Sequence, residues 1–321
     1  MDVKENVKDP KQRILKFIQL NRVQMVIAAC GLVLFLHFVL AVLQYDASIS
    51  GRAKKWIARH NIRSMKTKGG VVIFLHRPRT GGRSIKSNLN KVDYGIVMAH
   101  PHANQSYMQN SLIVNNILQG KVDEDADPPR ISFLSLHEDF AMLPKVQEDI
   151  ERWRALAKRH STALFVFSLV RNPVDYHVSH FNEFRVSPCT SPFCVKPLLE
   201  PNDVNLLSDM KANEQCRGFT KPPGDQSAVT DEECVKVFEW MKKNMDWIGT
   251  TENLSTETLP LLAELLFGDA DRSETMRVVN AMTKVNILVP SSLQYQTGRE
   301  IRRKSALDQK LYESVKYNYY L

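Results

Sequence analysis

Hydrophobic residues follow two different patterns along this chain. The first is Met25 to Leu43, a run of 19 positions that is apolar except at Gly31 and His37. A helix rises about 1.5 Å per residue, so this run is long enough to cross roughly 30 Å of hydrocarbon. Its 24-residue lead is longer than that of a cleaved signal peptide, which is the competing interpretation. The pattern predicts a retained transmembrane signal anchor over residues 25–44.

The second pattern begins at Gly69, where short apolar runs alternate with helical stretches. The predicted strands are residues 71–75, 131–136, 163–170 and 247–250. Continuous apolar runs between helices are typical of a parallel sheet that is covered on both faces. The sequence therefore predicts an α/β fold, with a parallel central sheet flanked by helices, over residues 69–321.

Helical periodicity and cap signals separate the predicted strands. Helices are expected from residue 84, at 107–118, 144–160, 174–185, 231–245 and 255–267, and from residue 306. Thr230-Asp-Glu-Glu233 is a capping box, which marks one of these helix starts. Residues 186–230 are rich in Pro, Cys, Asn and Asp, and they are predicted to form one long loop that needs covalent staples.

The formal charge of +8 is concentrated in two short segments. Residues 1–24 carry 6 basic and 3 acidic side chains, and residues 45–68 carry 7 and 1. The remaining region, residues 69–321, has 30 basic and 31 acidic side chains and is nearly neutral. A nucleic-acid-binding function therefore loses its main support. Residues 1–24 are predicted to be a cytoplasmic tail, and residues 45–68 a basic stem.

Charge alone does not orient the anchor, because five basic residues lie within 20 positions of each of its ends. The residues after it favour an oxidising compartment, with four clustered cysteines and two glycosylation sequons: Cys189, Cys194, Cys216, Cys234, Asn104 and Asn253. No Cys-x-x-Cys pair supports a zinc site. These features favour a type II arrangement with a lumenal C-terminal domain. Four cysteines allow three connectivities, which spacing alone leaves open.

The first chemical motif is a Gly-rich turn between the strand at 71–75 and the next helix. Such a turn presents backbone N–H groups and a helix N-terminus to an anion, and Arg79, Arg83 and Ser84 add charge and a hydroxyl. A basic surface turn is the competing interpretation. A nucleoside-triphosphate P-loop fails, because Arg77 stands at its first glycine and Arg83 at its lysine.

The second motif is Arg171-Asn-Pro173, which follows the predicted strand at 163–170. Proline is favoured in the first helical turn, so a helix is expected to begin at Pro173. Ser179 lies eight residues after Arg171 and would stand about two turns along that helix.

Together the two motifs resemble the phosphate-binding loops of Golgi carbohydrate sulfotransferases. The turn resembles their 5′-phosphosulfate loop, Pro-Lys-Thr-Gly-[Gly/Ser]-Thr-Ser, but with Arg79 in place of Lys and Arg83 in place of Thr. The second motif resembles their 3′-phosphate site, Arg-[Asp/Asn]-Pro followed by Ser. The resemblance implies a P-loop-like turn that binds 3′-phosphoadenosine 5′-phosphosulfate. The implied binding residues are Arg79, Thr80, Gly81, Gly82, Arg83, Ser84, Arg171 and Ser179.

Within that superfamily, the chain is most similar to the heparan sulfate and uronyl 2-O-sulfotransferases. The stretch Trp247–Leu254 resembles their Val-Gly-Val-Thr-Glu-Glu-Leu segment. The resemblance implies local disulfides Cys189–Cys194 and Cys216–Cys234. It also implies a catalytic base at His137, where their His-x-His is reduced to one histidine, with Glu138 as the fallback.

The expected function is transfer of a sulfuryl group to a glycan hydroxyl, by in-line displacement with His137 as base and Arg79 as a catalytic cation. No metal is expected, and the partners are the membrane and a glycan or proteoglycan acceptor; a homo-oligomer is left open. The expected location is the Golgi membrane. Two alternatives are a catalytically weakened nucleotide- or glycan-binding homologue and a membrane-anchored P-loop kinase. The sequence does not specify the acceptor sugar or the hydroxyl attacked.

Overall fold

A computed structural model describes the following residues: 30–37, 65, 69–89, 97–99, 104–121, 131–137, 143–186, 198–221, 225, 227–267 and 287–317. The chain separates into two compact units, Met1–Arg52 and Ala53–Leu321. In the first unit, residues 30–37 are helical and exposed, and Cys30 is a free thiol. None of the helices within the described ranges is long and apolar enough to cross a membrane. The rest of the predicted anchor, the tail and the stem other than Met65 lie outside the described residues.

The second unit contains a five-stranded sheet in which all described pairings are parallel. Its strands are β1 Gly70–His76, β2 Val97–Ala99, β3 Ile131–His137, β4 Leu164–Val170 and β5 Trp247–Thr250. Their order across the sheet is β2-β3-β1-β4-β5. The predicted α/β class with a parallel central sheet is therefore confirmed.

Helices flank this sheet. The helices are α1 Gly82–Leu89, α2 Asn104–Leu118, α3 Leu143–His160, α4 Pro173–Phe181, α5 Asp203–Asp209, α6 Glu214–Thr220, α7 Asp231–Asn244, α8 Leu259–Phe267, α9 Tyr295–Lys304 and α10 Ala306–Lys316. Short π-helical turns follow α4, at Asn182–Val186, and precede α8, at Leu254–Thr258. A 3₁₀ turn at Pro290–Ser292 precedes α9.

Alternate residues of the central strands feed two separate hydrophobic cores, because successive side chains of a strand point to opposite faces. Val72 and Phe74 of β1 pack in the core that contains α8, and Met65 is buried in the same core just before the predicted start of the domain. Val71 and Ile73 pack in the core that contains parts of α2, α3, α7 and α10. Burial on both faces explains why these strands have continuous apolar sequences.

The prediction of one long loop over residues 186–230 was wrong, because this region contains α5 and α6. Both helices have only seven residues, which is too short for a clear helical period. Asn202 caps α5 by accepting the Asn205 N–H at 2.9 Å. The capping box that opens α7 is confirmed: Thr230 and Glu233 each accept the other's backbone N–H.

Covalent and long-range contacts hold α6 in place. A Cys216–Cys234 disulfide joins it to α7, as the resemblance implied; Cys189 and Cys194 lie outside the described residues. The Asp308 carboxylate, on α10, accepts the N–H groups of Gln215 at 3.0 Å and Cys216 at 2.7 Å. Asp308 thereby satisfies N–H groups of the first turn that have no partner within the helix.

Candidate functional site

The two sequence motifs follow β1 and β4, which are neighbours in the sheet. The chain leaves β1 toward β2 and leaves β4 toward β5, so the two connections run in opposite directions. In open α/β sheets, such a reversal leaves a crevice at the carboxyl ends of the strands, where ligands bind. The fold therefore places the Gly-rich turn and the Arg171 motif together at this edge of the sheet, which we call the crevice.

The turn between β1 and α1 is held by its own side chains. The buried Thr80 hydroxyl donates to the Arg77 carbonyl oxygen at 2.8 Å. Gly81 has a φ of 89°, a left-handed conformation that suits glycine. A Cβ at Gly82 would lie 2.0 Å from Nε2 of His76, so the glycine lets the imidazole lie against the turn. Helix α1 begins at Gly82, two residues before its predicted start.

Arg77, which stands where a P-loop has its first glycine, is buried and structural. Its guanidinium donates to Tyr176 Oη at 3.3 Å and to the Glu214 carbonyl oxygen. It also lies 5.6 Å from the centre of the Phe219 ring, within the range of a cation–π contact. Arg77 therefore ties the turn to α4 and α6 and is not available to a ligand in this arrangement.

The second motif forms the helix start that its sequence predicts. Asn172 caps α4 by accepting the Val174 N–H at 3.0 Å, and Pro173 occupies the first helical position. Ser179 lies two turns along the same helix and is buried. Glu252 lies just after β5, in the Trp247–Leu254 stretch that the sequence analysis singled out. Its side chain accepts the Asn172 N–H at 3.1 Å. That stretch therefore adjoins the Arg171 motif.

The two motifs are in direct contact. Nε and Nη2 of Arg79 donate to Ser179 Oγ at 3.0 and 2.9 Å, across 100 residues of sequence. Nη1 of Arg171 donates to the Arg79 carbonyl oxygen at 3.1 Å. Two guanidinium groups and a hydroxyl thus meet at the carboxyl edge of the sheet. Arginine and hydroxyl donors of this kind suit phosphate and sulfate oxygens.

Burial of these guanidinium groups concentrates positive charge in the crevice. Burial lowers the pKa of Arg79, and the nearby Glu183 carboxylate offsets part of that effect. Burial also lowers the pKa of Arg171, against the attraction of carboxylates that include Glu252. An arginine pKa starts so high that both groups remain charged at neutral pH. A bound anion would relieve the cost of holding the two charges together.

The backbone of Arg79 has an unusual conformation. Its φ is 65°, in the left-handed region that a residue with a Cβ rarely adopts. Such a conformation costs on the order of 1–3 kcal/mol and persists only where surrounding contacts enforce it. Here the enforcing contacts include its bonds to Ser179 and Glu183.

Glu183 is a site residue that the sequence motifs did not reveal. One of its oxygens lies 3.3 Å from Nη1 of Arg79, and the other lies 3.4 Å from Nη2 of Arg83. It follows Ser179 by four positions, and residues at that spacing share one helix face. A Ser-x-x-x-Glu pattern after an Arg-Asn-Pro motif was the available signal, but charged residues are common on exposed helix faces.

Gln215 is the second site residue that the sequence did not reveal. Its side chain pairs with the backbone of Arg171: the Arg171 N–H donates to Oε1 at 2.8 Å, and Nε2 donates to the Arg171 carbonyl oxygen at 2.8 Å. Gln215 is 1% exposed and lies in the first turn of the helix that Asp308 caps. Gln215 lies within the predicted loop, and Arg171 precedes that loop. No local sequence signal links the two residues.

The predicted base, His137, ends β3 and pairs in register with His76 at the end of β1. Its backbone therefore lies at the same edge of the sheet as the turn, while its side chain and Glu138 lie outside the described part of the structure. Two other histidines have environments unsuited to a base. Burial lowers the pKa of His177 to about 4 and that of His180 to about 3. A general base works best with a pKa near the operating pH.

The structure also places the remaining predicted site residues. Asn104 begins α2, and Asn253 is half-buried in the turn after β5, so both glycosylation sites stay predictions. Arg83 is half-exposed beside Glu183, and Ser84 is buried in the first turn of α1. Among the described residues, no group of three His, Cys, Asp or Glu side chains is arranged to hold a metal ion.

Comparison with known proteins gives no family for this chain. No protein-family model matches the sequence, and no curated protein shows significant similarity to it. Function therefore has to be argued from the motifs and from the geometry of the crevice.

Proposed function

We propose that the chain is a carbohydrate O-sulfotransferase that uses 3′-phosphoadenosine 5′-phosphosulfate. The observation that carries this proposal is the contact between the two motifs: the Arg79 guanidinium donates to Ser179, and the Arg171 guanidinium donates to the Arg79 carbonyl oxygen. The resemblance assigns these motifs to opposite ends of one nucleotide, so the two have to lie beside a common crevice. If the structure had placed the two motifs far apart, the proposal would be excluded.

The residues in the crevice suit a nucleotide with anionic groups at both ends. The turn at 79–84, with the N-terminus of α1, would hold the phosphosulfate end through guanidinium and backbone N–H donors. Arg171 and Ser179 would hold the 3′-phosphate. Arginine at position 79 preserves the charge of the family's lysine and adds a planar fork of donors that can contact two oxygens at once.

The cosubstrate supplies the sulfuryl group, and this chain's residues arrange the transfer. His137 takes the proton from the attacking glycan hydroxyl, whose oxygen forms a new bond to sulfur. The bond between sulfur and the bridging phosphate oxygen breaks, and the electron pair leaves with the nucleotide bisphosphate. Arg79 and Ser84 neutralise the charge that develops on this leaving group, while Arg171 and Ser179 hold the nucleotide in line.

The proposed location follows from the anchor, the sequons and the cysteines. In this proposal the chain is a single-pass type II protein of the Golgi membrane, with its catalytic domain in the lumen. The Cys216–Cys234 disulfide supports an oxidising compartment. The acceptor is a polysaccharide or glycosaminoglycan, with a uronyl 2-hydroxyl as the position that the 2-O branch suggests.

A second candidate function is nucleotide or glycan binding without turnover. One observation favours it: Arg79 replaces the lysine of the family and is already engaged by Ser179 and Glu183. A cation held in this way can bind an anion and still stabilise the leaving group poorly. The kinase alternative has no comparable support, since Arg77 at the first P-loop position is committed to structural contacts.

The test is sulfuryl transfer by the purified full-length chain in detergent. The protein is incubated with radiolabelled phosphosulfate donor and heparan, dermatan, chondroitin and neutral glycans, with an Arg171→Ala variant as the negative control. Label in one class of polymer that is absent with the variant would support the enzyme, and the sulfated hydroxyl would then be mapped. Tight binding of adenosine 3′,5′-bisphosphate without labelled polymer would favour the second candidate. Protection against heat by ATP alone would favour a kinase.

A further inference from the structure

Both carboxylate oxygens of Glu183 face arginines of the anion-binding turn. Oε2 lies 3.3 Å from Nη1 of Arg79, and Oε1 lies 3.4 Å from Nη2 of Arg83. The Glu183 side chain is 25% exposed and that of Arg79 is 13% exposed, so their contact is largely sheltered from solvent. The Arg83 side chain is 55% exposed, so its contact with Glu183 is open to solvent. A single carboxylate thus stands beside both cations, as an anionic ligand of the turn would.

The two arginines are also the two positions at which the turn departs from the loop it resembles. Lysine and threonine at these positions would give one compact cation, whereas Arg79 and Arg83 give two extended cations. Glu183 contacts both of them. The three residues therefore form one electrostatic unit, in which the added charge has its own counter-ion.

The position of Glu183 is fixed by the backbone that carries it. It lies in the π-helical turn Asn182–Val186 that continues α4, four positions after Ser179. Arg79 is consequently held on two edges by one helix: Nε and Nη2 contact Ser179, and Nη1 contacts Glu183. If Glu183 lost its charge, the two bonds to Ser179 would still orient the guanidinium.

We infer that Glu183 is a specificity-determining counter-ion, which holds Arg79 and Arg83 until a multiply charged anion displaces it. This inference rests on the proposed function for the identity of that anion, a nucleotide with phosphate or phosphosulfate groups. The ion-pair distances of 3.3 and 3.4 Å exceed the 2.7–2.9 Å that is typical of strong charge-assisted bonds. Phosphate or sulfate oxygens can make shorter bonds to these guanidinium groups, so an anion with several charges competes with Glu183 better than an anion with one.

The first test measures how Glu183 affects anion affinity. Full-length wild type, Glu183→Gln and the matched control Glu239→Gln are titrated with adenosine 3′,5′-bisphosphate by calorimetry. Glu239 is an exposed residue of α7 that pairs with Lys242, so its variant makes the same charge change away from the crevice. Removing the competing charge should lower the Kd of E183Q about five- to tenfold, with no change in E239Q. Equal or weaker binding by E183Q would overturn the inference.

A second measurement needs no nucleotide. Phenylglyoxal modifies arginine, and an ion pair slows that reaction; modification rates can be assigned to single residues by mass spectrometry. In E183Q, Arg79 and Arg83 should react about two- to fivefold faster than in wild type, since a partly exposed ion pair is worth up to about 1 kcal/mol. Arg299, which lies on α9, serves as the internal reference and should be unchanged. Unchanged rates at Arg79 and Arg83 would overturn the counter-ion assignment.

The two measurements separate the inference from the function on which it rests. If wild type fails to bind the bisphosphate but E183Q accelerates modification of Arg79 and Arg83, then the proposed nucleotide is wrong and the counter-ion stands. If wild type binds the bisphosphate and E183Q changes neither affinity nor modification, then the nucleotide stands and Glu183 has no such role. Unfolding temperatures of the variants close to that of wild type confirm that each measurement reports on folded protein.

Discussion

Loss of the two hydrogen bonds between Gln215 and the Arg171 backbone should destabilise the protein. In Gln215→Leu, the Arg171 N–H and carbonyl oxygen lose their partners at 2.8 Å, beside a side chain that is 1% exposed. Each unpaired buried group costs about 1–3 kcal/mol, and burial of the leucine side chain returns part of the loss. We expect a net loss of about 3 kcal/mol, which corresponds to a fall of roughly 6–12 °C in melting temperature.

The same change should weaken nucleotide binding, because Arg171 would no longer be held where its guanidinium reaches the crevice. Thermal unfolding with and without adenosine 3′,5′-bisphosphate measures both effects in one assay. Gln309→Leu is the matched control, since it removes an exposed bond to Glu313 and should cost no more than about 0.5 kcal/mol. If Q215L melts within about 1 °C of wild type, the two hydrogen bonds contribute nothing measurable and the reasoning about Gln215 fails.

Four further predictions concern the base, the nucleotide site, a buried acid and the disulfide. His137→Ala should abolish sulfuryl transfer but retain the affinity for the bisphosphate. Arg171→Ala should weaken binding of the bisphosphate about 10- to 100-fold. Calorimetry measures the affinity of each variant, and a transfer assay measures its activity. Burial raises the pKa of Asp308 to about 6, so the folded protein keeps a proton that the unfolded chain loses. Stability should therefore fall by on the order of 3 kcal/mol as the pH rises from about 4 to about 6, and Asp308→Asn should flatten this slope in denaturant titrations. Replacing both Cys216 and Cys234 by serine should cost about 3 kcal/mol, and dithiothreitol should destabilise wild type more than that variant.

The sheet could be predicted from the sequence because its strands are buried on both faces. Runs such as Ala163–Val170 have no polar alternation, and the structure forms β4 within one residue of that prediction. Helices that begin with a clear capping signal could also be predicted, as the Thr230 capping box shows. Helix α6 was missed because it is held by partners distant in sequence, above all Asp308 and Cys234. Helix α5 was missed because it has only seven residues, of which Leu206 packs against residues distant in sequence. Helix α9 was missed because its charged segment resembles a solvated surface.

The same distinction between local motifs and long-range contacts applies to the residues of the candidate site. Residues that belong to a local motif, such as Arg79 and Arg171, could be proposed from their positions after predicted strands and from the resemblance of those motifs to known phosphate-binding loops. Glu183 and Gln215 were not found, because each acts through a contact that only the folded chain creates. The left-handed conformation of Arg79 was also beyond the sequence, since nothing in Pro-Arg-Thr requires a positive φ at the arginine.

The capping of α6 by Asp308 has a consequence for the biogenesis of this protein. Every residue proposed to bind the nucleotide lies between 79 and 179. Gln215, which supports Arg171, nevertheless depends on the Asp308 carboxylate, which is synthesised 93 residues after Gln215. A ribosome-bound chain that has emerged only to Ser305 would contain the whole set of phosphate contacts without their support. A premature stop codon just before Asp308 should therefore impair ligand binding as severely as a lesion in the crevice itself.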